Sequence, residues 1–202
     1  MKNFSYLLLA IIMFLVMFCV VLFKEKKTLK AEYESLVRDS KTDQTILFKS
    51  IEESTYFKLP KGISISDSSG REVLIESLAA QNPVLIFRTS WSNCESCVKS
   101  QIESIESSLD LIQPGKVFVL TSFESINDMV IYRKHLRSNL NFINIKLESL
   151  KDLELEGGNS PYYFILSKDR TAKMIFIPLV SSIDLSRNYL RYIRKNYLTT
   201  NK

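Results

Sequence analysis

Cysteine is scarce. The 202-residue chain has three, Cys19, Cys94 and Cys97, and Cys19 falls inside an apolar run. A small fold stapled by disulfides needs more bridges than the remaining pair can make. Histidine is scarcer still, because His135 stands alone. A structural zinc site takes four ligands, and one C-x-x-C would have to be shared between two copies to supply them. No metal and no cofactor is therefore expected. A basic patch with interleaved aromatics is also lacking. The net charge is +5, but the positive residues are mixed with acids except just after the apolar run and in the last predicted helix. Nucleic acid is not an expected partner. There is no internal repeat and no low-complexity segment.

Charge is absent from Phe4 to Phe23. Twenty apolar residues span a bilayer as a helix, so residues 1–23 read as a transmembrane anchor, with membrane contact through residues 4–23. No small-x-small cleavage site follows the run. Phe18 precedes Cys19 where a lipoprotein signal has a small residue. The segment reads as a retained anchor. Residues 24–58 read as a juxtamembrane helical stalk: 24–49 are charged and free of glycine and proline, and Leu29, Tyr33, Leu36 and Val37 form a short helical stripe. That stripe allows a dimer through the stalk. The remaining 59–202 suit one domain with a sizeable core.

What is present is a dithiol in a telling place. Trp91-Ser92-Asn93-Cys94-Glu95-Ser96-Cys97 follows the apolar run Val84-Leu85-Ile86-Phe87 and opens an amphipathic segment. Val98, Ile102, Ile105, Leu109 and Ile112 recur at steps of four, three, four and three, one buried helical stripe. A thiol at a helix N-terminus meets unpaired N–H groups and the positive end of the helix dipole. Both favour thiolate, the form that attacks a disulfide. The pair is a redox site, a partial metal site or a structural pair.

Around it the chain alternates. Ile63 and Ile65 against Ser64 and Ser66, then Asp67-Ser68-Ser69-Gly70 and Arg71 to Leu74, predict a hairpin. Strands are expected at 84–89, 116–121 and 141–147, with helices at 94–112 and 125–138 between them. Glu148 to Glu156 is a short polar helix or loop. Gly157-Gly158-Asn159-Ser160-Pro161 leads into a second hairpin, 162–166 with 172–177, and a helix over 183–197 ends the chain. Strands alternating with helices give an α/β sheet with helices on both faces.

At this point the chain resembles the thioredoxin-like superfamily, and within it the TlpA/ResA-type membrane-anchored thiol–disulfide oxidoreductases of bacteria. The strand, tryptophan and C-x-x-C at a helix start carry the likeness. So do the Asp67 to Val73 hairpin, similar to the extra N-terminal β-hairpin of that branch, and Ser160-Pro161 before a hairpin. The resemblance implies a three-layer thioredoxin-like sheet with that extra hairpin, preceded by the transmembrane helix and stalk. It implies a cis Pro161 facing the dithiol, with Ser160 offering its backbone to an extended substrate. It departs at Ser92 and Asn93, which separate Trp91 from Cys94, at Glu95-Ser96, which lacks the frequent proline, and at Ile102, where the family often has a helix-kinking proline. The strand before the motif has no buried acid; Arg88 lies nearest.

The expected activity is that of a thiol–disulfide oxidoreductase acting on protein disulfides and recharged by an upstream thiol reductant. Cys94 is the nucleophile and Cys97 resolves the mixed disulfide. Glu95 opposes the thiolate by like charge, which points to a reductase. Trp91 is either part of the substrate platform or a packing residue, and His135 reads as a surface helix residue. The expected place is the bacterial inner membrane, single pass. The lysines after the apolar run would by themselves keep the domain in the cytoplasm, but a dithiol has its use where disulfides form, so the periplasmic or extracytoplasmic side is expected. A peroxiredoxin-like peroxide reductase and a non-catalytic thioredoxin-like binding module are the alternatives.

Overall fold

The computed structural model describes residues 55–108, 115–158, 160–179 and 182–198, and before them only positions 17, 26, 27, 44, 47–49 and 51–53. The chain divides into two compact units, Met1–Ile46 and Leu47–Lys202, and the second carries the fold. The expected anchor, the stripe of the expected stalk and any dimer contact through it lie outside the described residues, as do Leu109 and Ile112. Among the described residues no helix is long and apolar enough to cross a membrane.

Among the described residues eight strands form one mixed sheet: β1 Tyr56–Lys58, β2 Ser64–Asp67, β3 Glu72–Leu74, β4 Val84–Arg88, β5 Val117–Thr121, β6 Asn141–Ile145, β7 Tyr162–Leu166 and β8 Thr171–Phe176. Their order across the sheet is β1-β8-β7-β4-β5-β6-β2-β3. The helices are α1 Ile75–Leu78, α2 Glu95–Glu106, α3 Ile126–His135 and α4 Ile183–Ile193. A π-helical turn, Arg194–Leu198, follows α4. The sheet takes in Tyr56–Lys58, ahead of the domain start expected at Leu59, because β1 pairs with β8 at the sheet edge.

The centre is β4, buried at all five positions. It runs parallel to β5 and antiparallel to β7. Leu85 and Phe87 face one core with Val119, Phe142, Tyr163 and Ile165, closed by Val98, Ile102 and Ile105 of α2, Met129 of α3, and Tyr189, Leu190 and Ile193 of α4. Val84 and Ile86 face the other, closed by Leu59, Ile63, Ile75, Ala79 and Leu150. Each fully buried aliphatic side chain of the α2 stripe contributes roughly 1.5–3 kcal/mol.

The expected helices on both faces are thus unequal. Among the described elements α2, α3 and α4 serve the first core, and the second is closed by chain segments, the hairpin and the single turn of α1. Strand order explains this for α2 and α3. The parallel steps β4 to β5 and β5 to β6 move the same way across the sheet, and right-handed crossovers in one direction put both connecting helices on one face.

The expected N-terminal hairpin forms as β2 and β3, with Ile65 opposite Val73, and lies beyond β6. Asp67 organises its turn. The Asp67 Oδ1 accepts from the Ser69 amide (2.9 Å), the Ser69 hydroxyl (2.6 Å) and the Arg71 amide (3.1 Å). Gly70 takes φ +82, a conformation open to glycine without strain. The Ser69 hydroxyl does most to lower the Asp67 carboxyl, to about 2; partial desolvation opposes it, and the two amides and the Arg71 guanidinium add to it.

β8 carries a bulge. Its register against β7 shifts near Tyr163 and Ile165, and Met174 takes φ +59. Ala172 therefore faces the second core while Met174 and Phe176 face the first. The Tyr189 hydroxyl donates to the Met174 carbonyl at 2.6 Å, which pins the bulge to α4.

A carboxyl held low in the folded state stabilises the fold at pH above its unfolded value near 4, and that contribution is lost as pH falls through the folded value. The Asp67 resonance should titrate with a midpoint of about 2 by NMR, and Asp67→Asn should remove the part of acid destabilisation that falls in that window. A midpoint near 4 would count against the turn as described.

Candidate functional site

Cys94 is the N-cap residue of α2 (φ −57, ψ 118). Cys94 and Cys97 are joined by a disulfide with Cα atoms 5.2 Å apart. Cys94 is exposed and Cys97 half-buried. The Cys94 Sγ lies 3.2 Å from the Ser96 hydroxyl. Behind the pair, Val98 is fully buried and the Tyr163 hydroxyl donates to Gln101 Oε1 at 3.0 Å. That bond ties α2 to β7, and burial keeps the Tyr163 hydroxyl protonated far above its usual range.

The residues between Trp91 and Cys94 have a structural job. The Asn93 amide donates to the Ser90 carbonyl at 3.1 Å and closes a turn. Asn93 Oδ1 accepts from the Ser90 amide (2.7 Å) and the Thr89 hydroxyl (3.1 Å). Ser90 and Ser92 bring their hydroxyls to 2.9 Å. The turn lifts Trp91 to 73% exposure, so Trp91 is not a packing residue.

Beside this turn lies a cavity of about 170 Å³, lined by Thr89 to Asn93 together with Ser122, Ser160, Tyr162, Arg88 and Glu156, among others. Its floor is an ion pair. Arg88 is only 2% exposed. Its Nε donates to Glu156 Oε1 (2.8 Å) and its Nη2 to Glu156 Oε2 (2.6 Å). Nη2 also reaches the Ser122 hydroxyl (3.1 Å), and Nη1 reaches the Thr89 and Leu120 carbonyls (2.6 and 3.4 Å). All five guanidinium N–H groups thus have acceptors. The Tyr162 hydroxyl donates to Glu156 Oε1 at 2.8 Å. Burial pushes the Glu156 carboxyl up, but the Arg88 hydrogen bonds and charge, helped by Tyr162, outweigh it and hold it below its usual value. Burial first, then the Glu156 charge, raises the Tyr162 phenol, so it remains a donor.

On the other side of the dithiol, Glu95 opens α2. Its Oε1 lies 2.7 Å from Nε2 of His135, the last residue of α3, and both side chains are more than half exposed. Among the described residues no cluster of three or more His, Cys, Asp or Glu side chains could hold a metal.

No protein-family model and no curated protein matches the chain. Solved structures do. The solution structure of a thiol:disulfide interchange protein from Bacteroides sp. superposes with a TM-score of 0.51 over 74% of this chain and 93% of that one, at 12% identity. The fold is thioredoxin-like. A putative electron transfer protein from Aquifex aeolicus VF5 is similar over 65% of this chain and 92% of its own, at 18% identity and a TM-score of 0.49. A thioredoxin-family thiol:disulfide interchange protein from Chlorobium tepidum TLS is similar over 70% and 98%, at 11% identity and a TM-score of 0.47.

Within this thioredoxin-like frame Trp91 and Ser160 line one cavity, and the turn that forms part of it leads directly into Cys94. Pro161 is buried just before β7, but its peptide bond is trans, since the described residues contain no cis bond. The cis expectation rested on the resemblance alone. Trans is the ordinary form of an X–Pro bond, and nothing local in Gly158 to Tyr162 demands the other. Glu156 escaped the sequence reading. Its signal was Arg88: a charged side chain ending an otherwise apolar central strand must be paired, and Glu148 to Glu156 is acid-rich. Asn93 and the Glu95–His135 contact were also missed, because each depends on a turn or helix end that spacing does not reveal.

Breaking a buried pair strands the other charge and costs about 3–5 kcal/mol. Arg88→Met and Glu156→Gln should each lose roughly that much in urea unfolding, and the double variant should lose less than the two together. Single losses under about 1 kcal/mol would contradict a buried, fully bonded pair.

Proposed function

We propose that the chain is a thiol–disulfide oxidoreductase, and more narrowly a reductase of protein disulfides in the bacterial envelope. One observation carries the reading: Cys94 and Cys97 form a bonded couple at the mouth of α2, with Cys94 on the outside and Cys97 one step in. In the reduced protein the Cys94 thiolate attacks one sulfur of a substrate disulfide. A mixed disulfide forms and the other substrate sulfur leaves as a thiolate that takes up a proton. The Cys97 thiolate then attacks Cys94 Sγ and releases the second substrate thiol. Two electrons and two protons pass to the substrate, and the Cys94–Cys97 disulfide remains until an upstream dithiol reduces it.

Trp91 and Ser160 are the proposed substrate contacts. They flank the cavity beside the motif, and Pro161 lies buried behind Ser160. Glu95 places a negative charge beside Cys94, which disfavours the thiolate and makes the couple less oxidising. The Bacteroides protein of this fold is described as a thiol:disulfide interchange protein, in agreement with the reading. The uncharged run Phe4 to Phe23 supports a single-pass anchor in the inner membrane, and the use of a dithiol where disulfides form supports the extracytoplasmic side for the domain.

Reduced Cys97→Ser protein should form a stable mixed disulfide through Cys94 with a disulfide-bonded protein substrate, and Cys94→Ser with Cys97→Ser should form none. Peroxide consumption with a sulfenate at Cys94 would favour a peroxide reductase, and silence in both assays a binding module. Titration against glutathione should put the couple nearer to thioredoxin, about −270 mV, than to DsbA, about −120 mV. A value close to the second would sink the reductase direction.

A further inference from the structure

The start of α2 and the end of α3 meet at one contact, and it touches the dithiol motif. Glu95 directly follows Cys94, the N-cap of α2. Its carboxylate lies 2.7 Å from His135, the chain's single histidine, at the last position of α3. The helix ends suit the pair, because an N-terminus favours an anion and a C-terminus favours a cation. We propose that His135 is a positioning residue for the dithiol: paired with Glu95, an imidazolium offsets the Glu95 charge and favours the Cys94 thiolate, whereas a neutral imidazole leaves Glu95 as an uncompensated anion beside Cys94.

The functional meaning of this device rests on the reading of Cys94 and Cys97 as a redox couple. Histidine is the ordinary side chain whose charge changes between pH 5 and 8, and a neighbouring like charge disfavours thiolate. The fraction of attacking thiolate then depends on two ionisations. Cys94 keeps more reactivity in mildly acidic surroundings than the same thiol beside an unopposed Glu95. The groups around the pair do not supply a second switch. Tyr132 of α3 is kept neutral, by burial first and by the Glu95 charge second. Lys99 follows Glu95 by one helical turn on α2. Arg133 and Lys134 precede His135 on α3, and the Arg133 Nε donates to the Ser138 carbonyl at 3.2 Å. Lysine and arginine side chains stay cationic throughout this window.

The test is the rate of Cys94 alkylation by iodoacetamide in the reduced full-length protein from pH 5.5 to 8, with the adduct localised to Cys94 by fragmentation of its peptide so that Cys19 and Cys97 do not contribute. At pH 5.5 the unmodified protein should react about two- to threefold faster than His135→Gln, the size expected of an exposed charge pair, and the two should converge by pH 8. His135→Lys should keep the advantage across the whole range, while that of the unmodified protein narrows as pH rises. In a Glu95→Gln background the His135→Gln effect should shrink, because nothing then holds the imidazolium at the mouth of α2. Superimposed curves for the unmodified protein and His135→Gln overturn the proposal, and a full-sized effect that survives in Glu95→Gln overturns the role of Glu95. Alkylation needs no substrate turnover. Failure here therefore leaves the disulfide-exchange reading standing, and a failed mixed-disulfide trap leaves this result standing.

Discussion

One guanidinium holds the working end of the sheet together. Arg88 closes β4 where the strand meets the turn leading to the cysteines, and it is bonded to four groups: the Thr89 carbonyl, the Leu120 carbonyl on β5, the Ser122 hydroxyl and the Glu156 carboxylate. Tyr162, at the start of β7, completes the set through Glu156. A charge in that position is unfavourable unless every hydrogen is satisfied, and here every one is. The network thus ties the end of β4, where the Trp91 turn begins, to the end of β5 and the start of β7, and its bonds strengthen one another. Because Arg88 keeps Glu156 ionised, that carboxylate serves as an anchor and has no proton to lend at neutral pH.

Most of the sheet was legible in the sequence. The uninterrupted Val84 to Phe87 run marked a strand buried on both faces, and the four-three spacing behind Cys97 marked the inner face of α2. Asp67 to Gly70 marked the tight turn. Three features were not legible, for a common reason. β1 is three residues long and exists because β8 is beside it. The shared face of α2 and α3 follows from strand order, which local periodicity does not encode. The bulge at Met174 breaks the alternation of β8, and its support, the Tyr189 hydroxyl, comes from a helix fifteen residues later.

The site divides along the same line. Cys94, Cys97, Trp91 and Ser160 were singled out from spacing and resemblance, and the structure places Trp91 and Ser160 around one cavity while the cysteines open the adjacent helix. Pro161 was expected cis and is trans, because a borrowed family trait carried more than the local residues support. Ser92 and Asn93 looked like an irregular insertion; Asn93 instead caps a turn through its side-chain oxygen. Glu156 and His135 lie 62 and 41 residues beyond Cys94 by their numbering. Only the folded chain brings one to Arg88 and the other to Glu95.

The outermost strands carry one more consequence. The eight-stranded sheet ends on β1 at one side and β3 at the other, each three residues long, with Lys58 on one and Glu72 on the other. An open sheet edge is a template for a foreign strand, and short, charged edges blunt it. This molecule meets other polypeptides in extended, partly unfolded form if it handles their disulfides. On the proposed function, its two margins give such clients little backbone to zip onto, which leaves capture to the sulfur chemistry at the helix mouth.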